Sequence, residues 1–331
     1  MSSQFHLHNS PVDIISSVKF NPTEKYSNFL LASSWDATLD LYDTANEGGR
    51  LLTRIDGVAP LLDCCWDNSG RNAFMGGLEG RVRMVDLETS QCSTIGEHEK
   101  PVKSLVYHSS SGLVISGSWD KTVKLYDHRN TSARVSTSQV PHKVFSMDSV
   151  GNLLVVGMAG RAVHVYDIRN MTEPFQRRES SLKYMTRTVR CIPTGEGYAS
   201  SSIEGRIAVD FFDPSPAVQA KKYAFKCHRA SEGDYDMVYP VNALAFHPIH
   251  GTFVSGGSDS LVCFWDYKAR KRLRQYPRYP GPVQSLDIDR RGTSVAIAHG
   301  GDVEIGQQGT ERGICGITIR ALAPEEGKSK V

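Results

Sequence analysis

"SSWDATLDLYD" (33–43) and "GSWDKTVKLYD" (117–127) are two copies of one pattern. Each has two small residues, Trp-Asp, a short polar turn, and an alternating run that closes on Tyr-Asp. Strict alternation of apolar and polar residues marks a half-buried strand, and the polar tip between two such runs marks a hairpin. A third copy, "SSIEGRIAVDFFD" (201–213), keeps the frame but has Ile203-Glu204 in place of Trp-Asp. It also carries Arg206 where the other two have Thr38 and Thr122.

The pattern widens into a repeat. Upstream of each turn lies an apolar alternating run: ISSVKF (15–20), LLDCCW (61–66), VKSLVY (102–107), VNALAF (241–246) and VQSLDI (283–288). VFSMDS (144–149) and RTVRCI (187–192) are weaker copies. Their starts are 46, 41, 42, 43, 54 and 42 residues apart, which gives seven units. Pro60, Pro101, Pro240 and Pro282 precede four of them, as suits the residue before a strand. A second run ends in small residues (LLASS, AFMGG, LVISGS, YASSS), and a third closes on an Asp such as Asp43, Asp86, Asp127, Asp167 or Asp266. A fourth, more polar run leads to the next unit.

Four short strands per unit of about 42 residues resembles the WD-repeat family. That resemblance implies an all-β, seven-bladed β-propeller. One unit cannot bury its apolar face alone, so the seven are expected to form one domain over residues 1–323. The seventh unit lacks a Trp-Asp turn. The alternating QFHLH (4–8) is expected to complete it by pairing with GITIRAL (316–322), so that an N-terminal strand closes the ring. The polar tail, 324–331, reads as disordered.

Composition excludes several classes. The formal charge of +2 over 331 residues is no footprint for general nucleic-acid binding. No apolar run is long enough to span a membrane, and MSSQFHLHNS lacks the basic start and apolar core of a signal peptide. Seven cysteines, two of them adjacent (Cys64 and Cys65), read as buried thiols of a reducing compartment. The pairs His6/His8 and His247/His250 lack further ligands at metal spacing, so neither a metal nor a cofactor is expected. No nucleophile sits on a strained elbow, so no enzyme activity is expected either.

Repeats carry their own control, because equivalent positions should meet equivalent surroundings. Aligning the first run by its start puts Arg187 in register with Ile15, Leu61, Val102, Val144, Val241 and Val283. A lone arginine among six aliphatics reads as a cation offered at the channel mouth to a carboxylate. The turn register holds Trp35, Leu78, Trp119, Ala159, Ile203 and Ser258, all expected to ring the channel on one face. Two tryptophans at turn tips are typical of binding surfaces. Three residues on, Arg81 and Arg206 share a register; Lys226 is expected on the next strand of unit five, with Arg229 near its end. The basic run KARKRLRQYPR (268–278) reads as a solvated outer edge that blocks sheet-to-sheet pairing.

Beyond the generic repeat, RRESSLKYMTR, SSIEGRIAVDFFDPSP and KKYAFKCHR resemble the spindle-assembly-checkpoint WD-repeat family, budding uninhibited by benzimidazole. The likeness runs from about residue 12 to 298. It implies an adaptor that binds GLEBS-type segments of the checkpoint kinase and its kinase-like relative through Trp35, Trp119 and Arg187. It also implies that Arg206 and Lys226 hold the phosphothreonine of MELT-type repeats on a phosphorylated kinetochore scaffold. Arg81 and Arg229 form a second tier without that support. Further implied partners are the mitotic checkpoint complex and the anaphase-promoting complex, with residence in the nucleus and, in mitosis, at kinetochores. No membrane or direct nucleic-acid partner is expected. SSIEGR and FKCHR also occur in a sister family of messenger-RNA export factors, which leaves a nucleoporin GLEBS adaptor as the alternative. Two departures stand out: GDVEIGQQGTERG (301–313) differs from the aromatic, acidic stretch usual there, and Ser260 replaces a common glycine.

Overall fold

The computed structural model describes residues 3–130, 134–301 and 315–329. The atypical loop 299–313 lies outside the described residues beyond Gly301. Seven antiparallel four-stranded sheets form the blades of a β-propeller. Blade one shows the common order from the channel outward: Ile15–Phe20, Phe29–Ser34, Thr38–Asp43 and Arg50–Asp56. Blade seven is built from Val283–Ile288, Ser294–His299, Gly316–Ala321 and the N-terminal Gln4–His6. The closing pair runs Gln4↔Arg320, Phe5↔Ile319 and His6↔Thr318, as the alternation of QFHLH led one to expect.

The small residues that end each second strand have a steric cause. A Cβ on Gly256 would lie 2.3 Å from Cγ1 of Val283, the first residue of the next blade. Gly76 stands in the same relation to Val102, at 2.7 Å, and Gly117 to Val144, at 2.6 Å. Such contacts do not occur between real atoms, so the inner strands pack this closely only over a bare backbone. The inner strands are also tied by side chains: Val18 N–H donates to Ser285 Oγ (3.0 Å), Met147 N–H to Ser104 Oγ (3.0 Å) and Val189 N–H to Ser146 Oγ (3.1 Å).

Unit five departs from the expected register. Every inner strand has a bulge after its first residue, as in Ile15↔Ser34 followed by Ser17↔Ser33. Blade five runs Thr186↔Ser202 and then Thr188↔Ser201. Thr186, not Arg187, is therefore the counterpart of Ile15, Leu61, Val102, Val144, Val241 and Val283, and all seven are buried. Arg187 instead sits at the bulge, with Ser16, Leu62, Lys103, Phe145, Asn242 and Gln284. A bulge adds an unpaired residue and re-aims its side chain, and all seven of these line the channel mouth.

Two further segments differ from expectation. The long interval before unit six holds a separate hairpin, Arg229–Glu232 with Tyr235–Val238. Arg229 therefore opens this hairpin and does not end the strand Tyr223–Lys226. The tail is not disordered through residue 329. Glu326 is buried, accepts the Tyr276 hydroxyl at 2.7 Å and pairs with Arg274 at 3.1 Å. Thr252 Oγ1 donates to Gly327 O at 2.6 Å, and Ser329 Oγ donates to Asp266 at 2.5 Å. Polar composition hid this docking, because the partners belong to blade six and are remote in sequence. The basic outer strand, Lys271–Gln275, is the exposed edge that the sequence indicated.

Candidate functional site

The turns between second and third strands all lie on one face. Trp35 N–H donates to Ile14 O (2.9 Å), Trp119 N–H to Pro101 O (3.1 Å) and Ile203 N–H to Met185 O (3.1 Å). Each tip is thereby tied to the residue that enters the inner strand of its own blade. Asp120 fixes its turn by accepting Thr122 N–H (2.9 Å) and Thr122 Oγ1–H (2.6 Å). Burial works against its charge, but the Thr122 hydroxyl and His98 hold its carboxyl below the usual range.

On this face a cavity of about 280 Å³ opens at the channel mouth. Trp35, Trp119 and Arg187 all line it, so the structure brings together three residues that belong to blades one, three and five. Arg187 Nε donates to Asn242 Oδ1 at 3.2 Å, which steers the guanidinium along the rim. Asn242 is held in turn by bonds from its Nδ2 to Ser258 Oγ (3.1 Å) and Val283 O (3.0 Å). Both tryptophans are half-buried, and Trp119 Nε1–H is buried without a hydrogen-bond partner among the described residues. Lys103 and Phe145 complete the apolar and cationic lining. Burial lowers the Lys103 pKa; Asp63 opposes that shift, and Arg187 and Arg190 reinforce it.

A second cleft, of about 610 Å³, lies on blade five. Arg206 and Lys226 face each other across neighbouring strands, and both line the cleft with Arg229 and Lys183. Four cations would repel one another without a counter-charge. Glu204 supplies one, with Oε2 at 3.5 Å from Arg206 Nε and Oε1 accepting Lys183 N–H at 3.1 Å. Arg206 Nε–H makes no hydrogen bond among the described residues, so Glu204 holds it through charge alone. Arg229 is positioned by donating to Glu204 O (2.8 Å) and Gly205 O (3.4 Å). Ile203, Tyr184 and Val238 give the cleft an apolar wall. The arrangement offers several N–H donors and a net positive charge, which suits a phosphate or a carboxylate.

Arg81 does not join either cavity. It pairs with Glu79 at 3.0 Å on blade two, and Glu79 also binds Arg83 at 2.7 Å. Lys183 and Lys103 escaped the sequence reading because neither breaks the local pattern. The signal that could have corrected Arg187 was present: a small residue followed by an aliphatic recurs as Ser17-Val18, Ser104-Leu105 and Ser146-Met147. Aligning Thr188-Val189 on it places Thr186 first.

The fold also assembles Ser-His-Asp sets that the sequence order concealed. His228 lies 2.8 Å from Asp259 Oδ1 and 2.8 Å from Ser255 Oγ, which also accepts Trp265 Nε1–H at 2.8 Å. His98 joins Asp120 (2.9 Å) and Ser116 (2.7 Å) in the same way. Both serines are fully buried, so no substrate reaches them. Burial also keeps the His98 pKa low against the pull of Asp120. Each set ties the segment that follows the preceding blade's outer strand to the second strand and turn of the next, blade three for His98 and blade six for His228.

A model described as "WD domain, G-beta repeat" matches residues 2–43, 89–127 and 225–266. "Mitotic checkpoint protein BUB3.1" of Arabidopsis thaliana is 48% identical over 92% of this chain and 89% of its own length. The chain belongs to the Bub3 family of WD-repeat mitotic checkpoint proteins. The "mRNA export factor GLE2" of Chaetomium thermophilum is more distant, 33% identical over 93% of this chain and 87% of its own. The solved "RRP9 WD40 repeats" share the fold, with a TM-score of 0.80 at 15% identity over 97% of each chain. Across the Bub3-like chain, the two cavities sit on the face bearing the turn tips.

Proposed function

We propose that this chain is a non-enzymatic mitotic checkpoint adaptor with two peptide sites on one face. The channel mouth takes a GLEBS-type segment of the checkpoint kinase or its kinase-like relative. Trp35 and Trp119 receive its apolar anchors and Arg187 a carboxylate. The blade-five cleft takes the phosphothreonine of a MELT-type repeat on the kinetochore scaffold and so brings the kinases there in mitosis. Recruitment to the mitotic checkpoint complex and the anaphase-promoting complex follows from the same adaptor role, as does a nuclear location.

The observation that carries this reading is the blade-five cleft, whose lining gathers Lys183, Arg206, Lys226 and Arg229 around one carboxylate, Glu204. A phosphate dianion offers the charge and the lone pairs that such a site lacks. The test is calorimetry with MELT peptides, phosphorylated and not, in the presence of a GLEBS peptide. Phosphorylation is expected to tighten binding at least tenfold, and Arg206→Ala to remove about 1.5–3 kcal/mol of it. Equal affinities would sink the phosphopeptide role. The similarity to an export factor favours a second reading, a nucleoporin GLEBS adaptor. It predicts binding at the channel mouth with no phosphopeptide preference.

A further inference from the structure

Four residues after Arg177, the chain enters the cationic cleft that it is proposed to offer to others. The segment Arg177-Arg178-Glu179-Ser180-Ser181 leaves the outer strand of blade four, Gln176–Glu179, and turns toward blade five. Its two serines have opposite fates. Ser180 is buried, its Oγ accepts Leu182 N–H at 3.2 Å, and its backbone is bonded to Arg161. Ser181 is exposed and lines the cleft beside Lys183, Arg206, Lys226 and Arg229.

We propose that Ser181 is a phosphorylation site whose phosphate occupies the blade-five cleft and shuts out phosphopeptides. The inference rests on the reading of that cleft as a phosphate site. The enzyme class is a basophilic serine/threonine kinase using ATP. Charge patterns of this kind direct kinases to their substrates, and Arg177 stands on an exposed outer strand, its guanidinium paired with the exposed Glu173. In the transfer, the γ-phosphorus leaves the β-bridging oxygen and bonds to Ser181 Oγ. ADP departs, and the hydroxyl proton passes to the kinase's base.

The consequence follows from charge. A phosphoserine carries −1.5 to −2 at pH 7 and three acceptor oxygens. Attached at the cleft wall, it meets the same cations at a high effective concentration, because the chain already holds it there. It gives Arg206 a stronger partner than its present ion pair with Glu204. Glu204, the resident counter-ion, has one charge and no hydrogen bond to Arg206, so the dianion displaces it.

The test uses full-length protein carrying phosphoserine at 181, introduced during translation. Phosphorus-31 NMR reads the second ionisation of that phosphate against pH. In the folded protein its midpoint should fall below that of the same chain in urea, and Arg206→Ala should bring it back. Binding of a phosphothreonine MELT peptide should drop at least tenfold relative to unmodified protein. A titration identical in folded and denatured protein overturns the proposal, as does unchanged peptide affinity. A chain that no longer folds with the phosphate present overturns it too, since an exposed residue lining a cationic cleft should accept the group. If unmodified protein does not bind the peptide, the cleft's proposed partner is wrong, and the NMR titration still decides whether Ser181 phosphate enters the cleft.

Discussion

Acid should open the propeller at its closing blade, through His299. This residue ends the second strand of blade seven and pairs with Val283. The ring is buried, with Nε2 at 3.1 Å from Thr318 Oγ1 and a buried Nδ1 that has no hydrogen-bond partner among the described residues. Thr318 also meets His6 Nδ1 at 2.8 Å, so the closing strand shares the cluster. Burial, with a smaller contribution from His6, lowers the His299 pKa from 6.5 to about 4. The folded state therefore holds the ring neutral, while the unfolded chain protonates near pH 6.5. Stability from this group is complete above about pH 6.5, falls as pH drops toward 4, and is level below that. For a folded value of about 4, linkage gives a loss of about 2 kcal/mol between pH 7.5 and pH 5.0, and about 3 kcal/mol in full. Urea unfolding followed by tryptophan fluorescence at both pH values measures it, in the native chain and in His299→Gln. Other buried histidines, such as His98 and His247, also have lowered pKa values, but they are common to both proteins and cancel in the comparison. The native chain should lose about 2 kcal/mol more than the variant on acidification. Equal losses, within about 0.5 kcal/mol, would refute the assignment of the acid-labile group to the closing blade.

Glu326→Ala should cost about 1–3 kcal/mol, because it strands the buried Tyr276 hydroxyl. The Arg274 pair adds little, since that arginine is half exposed. A double-mutant cycle with Tyr276→Phe reads the coupling, and a value near zero would mean that the tail does not dock through this pair. Glu204→Gln should tighten phosphopeptide binding about fivefold, the equivalent of roughly 1 kcal/mol for releasing a partly exposed arginine from its ion pair. Weaker binding in calorimetry would instead make Glu204 a positioning group for Arg206.

Much of the architecture was legible without coordinates. Short-range features encoded it: alternation set the strands, Gly and Ser runs marked where the next blade packs, and Asp-capped tips marked the turns. The turn position two residues after Trp35, Trp119 and Ser258 shows how local this code is. It adopts positive φ in Ala37 (69°), Lys121 (68°) and Ser260 (62°) as it does in Gly80 (82°) and Gly205 (60°). Tip geometry therefore persists where glycine, the residue at ease there, is absent. The site was half legible. Trp35 and Trp119 announce themselves as tips of the repeat, Arg206 by departing from it and Lys226 by its place on the next strand, whereas Lys183 and Ser181 lie in a connecting segment with no repeat to read.

The sequence by itself determined the number of blades, the face that carries the turn tips, and the strand that closes the ring. Each depends on windows of a few residues and their recurrence. The tertiary structure decided that Thr186 takes the buried first position and Arg187 the bulge, because the bulge forms between paired strands, although the recurring Ser-aliphatic pairs already hinted at that register. It alone decided that the polar tail docks, since the Tyr276, Arg274 and Asp266 side chains that satisfy it belong to another blade. And it alone turned scattered cations of blade five into one cleft, because charge density depends on distance in space, which the spacing of residues along a chain does not fix.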